Sequence, residues 1–257
     1  FDDKFKSINI HRSDINLTGG LSQKRGITKV LSQYESSIIL EDDINVSQYF
    51  LSYMNSALSK YESKKEIWQI NGFNYPINIK SDYECFFTRL PAVWGWGTWR
   101  DRWTDFINNP LSCDPYYLKN IFTKEMIYKL NLNMKNNIFW SQIEQNASGK
   151  LDNSWDIFWY CHIFIKNGLC LSPKISLTKN IGHDGSGIHS DFDEQLLSLK
   201  LNEKKIINFP IDVKENLDCC KLIKGYLKSK NGKRFIIKKK LNNKINLFLF
   251  KFSNIFL

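Results

Sequence analysis

At 257 residues the chain is long enough for one large domain, or for two lobes sharing one sheet. An apolar content of 42% with 14% aromatics excludes a disordered chain, and no run reaches the roughly 18 apolar residues of a membrane-crossing helix. The net charge of +10 is uneven: residues 221–257 hold 11 Lys/Arg and no Asp/Glu, which leaves 25 Lys/Arg against 26 Asp/Glu before them.

In chain order, "FKSINIHRSD" is expected to be a short strand followed by a loop. "NLTGGLSQKRGITKVLSQY" opens on a turn-prone glycine pair, and Leu21, Ile27, Val30 and Leu31 then fall at helical spacing on one buried face. "SSIIL" is a short β-branched run, predicted to be a strand buried on both faces as in a covered parallel sheet. "NVSQYFLSYMNSALSKYESK" repeats Phe50, Met54, Ala57, Leu58 and Tyr61 at intervals of three and four, which predicts a helix. "EIWQING" reads as the next strand, so the order is that of an α/β domain with a mostly parallel sheet flanked by helices.

Further on, "CFFTRLPAVWGWGTWRDRW" is expected to run from a strand through a glycine-hinged loop into a helix. Residues 106–150 are polar and Asn-rich, with "FTKEMIYKLNLNMK" the clearest helix. "WDIFWYCHIFIKNG" reads as a helix ended by Gly168, and "LCLSPKISL" as a strand interrupted by Pro173. "NIGHDGSGIHSDFDEQ" is a glycine-rich loop, the core is expected to end near residue 212, and a basic tail follows.

Glu41, Asp42 and Asp43 stand directly after an apolar strand, where clustered carboxylates need a compensating partner. One reading is a hard divalent cation, Mn²⁺ or Mg²⁺, that also bridges diphosphate oxygens; the other is a surface acidic turn at a helix start. The placement favours the first, because ligands of open α/β sheets gather beyond the carboxyl ends of the strands. Asp156, between Trp155 and the apolar "IFW", is either a partly desolvated proton acceptor or the first-turn residue of its helix.

His183 and His189 lie in the glycine-rich loop, as metal or phosphate contacts or as plain surface residues. His11 and His162 read as structural. Trp94, Gly95 and Trp96 could line an acceptor pocket, since sugar CH faces stack on aromatic rings, or simply fill the core. The six cysteines form no CxxC pair, so free thiols in a reducing compartment are expected rather than structural zinc.

The order of these blocks resembles something specific. "LEDDINVSQYF", "WQINGFN", "CFFTRLPAVWGWGTW", "WDIFW" and "GLCLSPKISLTKNIGHDGSGIHSDFDEQ" together look like a nucleotide-sugar glycosyltransferase of the GT-A fold. They are similar to the N-acetylglucosaminyltransferase I group and its bacterial relatives in surface-polysaccharide assembly, over roughly residues 16–205. The resemblance implies a Rossmann-like, mixed and mostly parallel sheet whose first strand and helix would precede Phe1. It divides the chain into a donor half at 1–105, an acceptor half at 106–212 and a basic amphipathic tail at 213–257.

It further implies Asp43 as metal ligand, Glu41 and Asp42 beside the nucleotide and its ribose, and Asp156 as catalytic base. Gly185 belongs to the loop that closes over the donor phosphates, with His189 as a further metal ligand; Lys24 and Arg25 are expected to bind donor. Trp94, Gly95, Trp96 and Trp155 are the expected acceptor contacts. The implied partners are a UDP-sugar and a glycan or lipid-linked acceptor.

The tail "KRFIIKKKLNNKINLFLFKF" interleaves cations with Phe, Ile and Leu. It is either a solvated chain end or a contact for an anionic membrane, which would make the protein cytoplasmic and peripheral on the inner face of the plasma membrane. Nucleic acid is not expected, because no recognised binding module accompanies the tail. Two rivals keep other chemistry open. One is a carbohydrate- or nucleotide-binding module without turnover; the other is a glycoside hydrolase with paired carboxylates.

Overall fold

A computed structural model describes residues 6–109, 113–150, 155–184 and 192–230. Residues 6–18 are irregular and largely exposed. The strand expected in "FKSINIHRSD" is absent there: Ile8 and Ile10 are 54% and 78% exposed, so no partner surface exists to reward pairing.

Helix α1 (Gly19–Leu31) buries Ile27 and Leu31, while Val30 on its flank stays exposed. Strand β1 (Ser36–Ile39) leads through the acidic triplet into β2 (Ile44–Val46). Helix α2 (Phe50–Tyr61) buries all five positions of the apolar stripe and Tyr53 besides. Strand β3 (Ile67–Asn71) is buried throughout, and β4 (Cys85–Thr88) and β5 (Trp96–Trp99) follow. Then come α3 (Arg100–Ile107), α4 (Pro115–Ile121), α5 (Lys124–Leu130), α6 (Trp140–Ala147) and α7 (Trp155–Ile165). Strands β6 (Leu169–Pro173) and β7 (Thr178–Asn180), a 3₁₀ turn at Gly182–Asp184, and α8 (Glu194–Leu197) complete the middle of the chain. A last helix, α9, covers residues 217–230.

The main sheet has the order β1-β5-β3-β6-β4 and is mixed, with helices on both faces. Only β3 and β6 pair in parallel; β1–β5, β3–β5 and β4–β6 are antiparallel, which corrects the expectation of a mostly parallel sheet. The cause is connectivity. Parallel neighbours need a crossover that carries the chain back to the starting edge. The stretch after β3 holds no helix and stays at the edge where β3 ends, so β4 starts there and runs the opposite way.

Residues 89–95 then return across a sheet face to that same edge, and β5 again runs against β3. This crossing is fastened by β3. Gln69 Nε2 donates to Ala92 O at 2.8 Å, Asn71 Nδ2 donates to Leu90 O at 3.2 Å, and Ala92 N donates to Asn71 Oδ1 at 3.1 Å. Strand β5 was not foreseen, since its glycines and tryptophans read as loop. Nor is β1 doubly buried: it is the edge strand and all four of its residues are half-buried.

On one face α2 packs Phe50, Met54, Leu58 and Tyr61 against Ile67, Ile70, Phe87 and Leu171. The other face carries a tryptophan-rich core from α1, α3 and α7, with Trp96, Trp103 and Trp159 each at most 1% exposed. Burying each large apolar side chain is worth about 1.5–3 kcal/mol. Helix α7 is apolar nearly all round and is enclosed accordingly. Its end comes before Gly168, at Asn167, which adopts a left-handed φ of 54°.

The expected core boundary near 212 is too early. Cys219 and Ile223 of α9 are 2% and 3% exposed, and Asn216 N donates to Phe87 O at 2.8 Å on the β4 edge. Lys230 forms an ion pair with Asp193, the N-cap of α8. Among the described residues no helix is long and apolar enough to cross a membrane.

Candidate functional site

Strands β1, β3 and β6 run in one direction, and the acidic triplet stands just beyond the carboxyl end of β1. The chain turns there, Ile44 N reaching Glu41 O at 3.3 Å, and β2 pairs antiparallel with β7. That two-stranded ribbon brings the sequence-distant segment 180–184 against the triplet. Ile181 N donates to Asp43 O at 2.9 Å, and Gly182 N donates to Asn180 Oδ1 at 2.8 Å.

The approach of Gly182 is close enough that any side chain there would displace the Asp43 carboxylate. A Cβ on it would lie 2.7 Å from Asp43 Oδ2. The other carboxylate oxygen, Asp43 Oδ1, is shielded from solvent and has no hydrogen-bond partner among the described residues. An unpaired buried oxygen of this kind is expensive.

Two further carboxylates lie within electrostatic reach, Glu41 feeling the charges of both Asp43 and Asp156. Burial pushes the Glu41 carboxyl up to about 7; the Asp43 charge adds to the rise, a hydrogen bond from Gln23 opposes it, and Asp156 and Asp42 raise it further. Near neutral pH Glu41 is therefore poised between its acid and its anion. Asp156 sits in the first turn of α7 beside Trp155, whose Nε1 donates to Gln23 Oε1 at 2.8 Å. Gln23 thus ties the triplet to the start of α7. Sequence reading missed it, because a lone glutamine on an amphipathic helix carries no chemical signature.

Trp94 and Gly95 stand at the same edge. The Trp94 ring meets His183 edge-on, with centroids 5.0 Å apart, and Trp94 O accepts from Thr178 Oγ1 at 2.6 Å. Gly95 has a φ of +75°, and a Cβ there would lie 2.7 Å from Thr178 Cγ2, so both conformation and space require glycine.

The expected acceptor contacts Trp96 and Trp155 need correction. Trp96 is 1% exposed and stacks on Trp155 at 5.6 Å within the tryptophan core. Trp155, 6% exposed, is likewise enclosed. Neither offers an open ring face to an acceptor sugar; they are packing residues, and Trp155 also seats the start of α7. Lys24 Nζ lies 3.3 Å from Cys113 Sγ and 5.8 Å from the Phe106 ring centroid. Arg25 is exposed on α1. Gly185 and His189 lie outside the described residues.

Among the described residues no group of three His, Cys, Asp or Glu side chains forms a metal cage. The donors present nevertheless suit a hard divalent ion held by one or two carboxylates and completed by phosphate oxygens. Asp43 has an uncommitted oxygen, its neighbours are all-oxygen donors, and the bare Gly182 keeps bulk away. No family model matches the chain, and no curated protein matches it.

Proposed function

We propose that the chain is a metal-dependent, inverting glycosyltransferase with a GT-A type domain. It moves a sugar from a UDP-linked donor to a glycan or lipid-linked acceptor in surface-polysaccharide synthesis. The observation that carries this reading is the convergence of Glu41, Asp43 and Asp156 beyond the carboxyl end of β1, beside Trp94 and His183.

Asp43 would hold Mn²⁺ or Mg²⁺ through its uncommitted carboxylate oxygen. The ion, when bound, supplies positive charge against the departing diphosphate. Glu41 and Asp42 face the nucleotide and its ribose. Asp156 accepts the proton of the acceptor hydroxyl as that oxygen bonds to the anomeric carbon. The bond from that carbon to the diphosphate oxygen breaks, and its electron pair leaves with the nucleoside diphosphate. A single displacement of this kind inverts the anomeric centre.

The C-terminal segment, with 11 Lys/Arg and no Asp/Glu in residues 221–257, would hold the protein on the anionic inner face of the plasma membrane, near lipid-linked acceptors. Calorimetric titration with a panel of nucleotide sugars, with and without Mn²⁺, followed by donor consumption with and without acceptor, tests the reading. Mn²⁺-dependent binding and acceptor-dependent consumption are expected. Binding without any consumption would leave a non-catalytic module.

A further inference from the structure

The expected acceptor contacts Trp96 and Trp155 are enclosed, which leaves Trp94 and Gly95 of that set at the site and room for further acceptor contacts on the same edge of the sheet. A separate cavity of about 460 Å³ opens there, between the chain leaving β3, the chain leaving β6, α8 and α9. Its volume lies in the usual range for small-molecule sites. We infer that this cavity is a carbohydrate subsite that grips an acceptor oligosaccharide beyond the sugar that reacts; calling its ligand an acceptor rests on the transferase reading.

Its lining has the chemistry of sugar recognition. Tyr75 and Tyr226 contribute aromatic surface, with ring centroids 5.3 Å apart and planes tilted by 43°. Gln195, Ser198 and Ser229 add an amide and hydroxyls, Lys174 an ammonium group, and no carboxylate lines the cavity among the described residues. Tyr226 Oη is screened from solvent and has no hydrogen-bond partner among the described residues, so Tyr226 offers the cavity ring surface.

The cavity is joined to the acidic site by a continuous run of rings. Trp94 touches His183 at 5.0 Å, Phe73 touches Trp94 at 4.6 Å, and Tyr75 touches Phe73 at 5.2 Å before meeting Tyr226. The opposing walls are pinned. Lys230 of α9 pairs with Asp193 at the head of α8, and Asp193 N donates to His183 O at 3.0 Å. Subsite and reaction centre therefore share one framework.

The test uses the full chain on a microarray of bacterial surface oligosaccharides, with Gln195→Ala and Ser198→Trp as variants. Both positions are exposed, so neither change disturbs the core, and the tryptophan fills the cavity. The wild type is expected to retain a defined subset of glycans. Both variants should lose at least about tenfold of that binding, the effect of one good contact or more. Asp43→Ala should keep the glycan binding and lose Mn²⁺-dependent UDP-sugar binding.

No retained glycan, undiminished binding by Ser198→Trp, or competition by UMP for the glycan would overturn the subsite. Glycan binding that Ser198→Trp abolishes, in a wild type that binds no nucleotide sugar, would keep the subsite and remove the transferase reading.

Discussion

Under the proposed reading, function and stability pull in opposite directions at Asp43. Its Oδ1 has no partner, and it stands beside Glu41 in a cluster of like charge. Asp43→Ala is therefore expected to stabilise the metal-free protein, by about 1–3 kcal/mol if the buried oxygen is fully relieved. Thermal unfolding without metal should show the rise; a drop in the midpoint would mean that the carboxylate is structurally paired.

Asp156→Asn should lower turnover by roughly 10²–10⁴ with donor binding intact, the usual worth of a general base. Collapse of donor binding would make Asp156 a structural residue instead. Gly182→Ala forces a methyl to 2.7 Å from Asp43 Oδ2, so the carboxylate must move. A shift of that order is expected to weaken metal-dependent donor binding by up to about 10²-fold, read by calorimetry. The triplet and Asp156 were legible in the sequence because their composition clashes with their apolar flanks. Gln23 and the wall of Tyr75 and Tyr226 were not, because only the fold brings them together.

At the scale of elements, α2 and β3 were legible in full, since a clear period needs only local packing to be realised. The direction of β4 and β5 was not, because it depends on where the intervening loops run. Helix α7 carries a titratable pair that ties it to α3. Asp105 accepts from His162 at 3.0 Å and pairs with Lys166 at 2.7 Å. Burial works to raise the Asp105 carboxyl, but those hydrogen bonds outweigh it and hold the group below its ordinary range. Burial pushes the His162 imidazole down, against the pull of Asp105.

Both shifts have the same sign for stability. A depressed carboxyl stabilises above its unfolded pKa and loses that contribution as pH falls through its folded value. A depressed imidazole leaves the unfolded state binding the extra proton, so stability also falls as pH drops below about 6.5. Between pH 7 and pH 5 the imidazole therefore contributes a loss of stability, opposed by Glu41, whose carboxyl, raised to about 7, favours the fold as it protonates. His162→Gln should remove that loss, so its unfolding midpoint should change with pH differently from the wild type over this range; identical pH profiles would show that the imidazole does not contribute.

For the whole molecule, the basic C-terminus divides into two parts with different roles. Residues 217–230 form α9, which packs Cys219 and Ile223 and ends on the Lys230–Asp193 pair, whereas the segment after residue 230 carries seven Lys/Arg and five Phe. Deletion of 231–257 is expected to leave the unfolding midpoint nearly unchanged but to release the protein from anionic vesicles, at about 1 kcal/mol per surface cation. Deletion of 217–257 should instead destabilise the fold. Unchanged vesicle sedimentation after the shorter cut would contradict membrane attachment. Charge counting exposed the basic end, but it could not separate the packed helix from the segment beyond it, since α9 alternates lysines with the apolar residues it buries.

The most direct measurement is calorimetric binding of UDP-sugars in the presence and absence of Mn²⁺, for the wild type and for Asp43→Ala. Binding that requires Mn²⁺ and vanishes in the variant is expected. Binding that ignores both the ion and the substitution, or no binding of any nucleotide sugar, would contradict the transferase assignment.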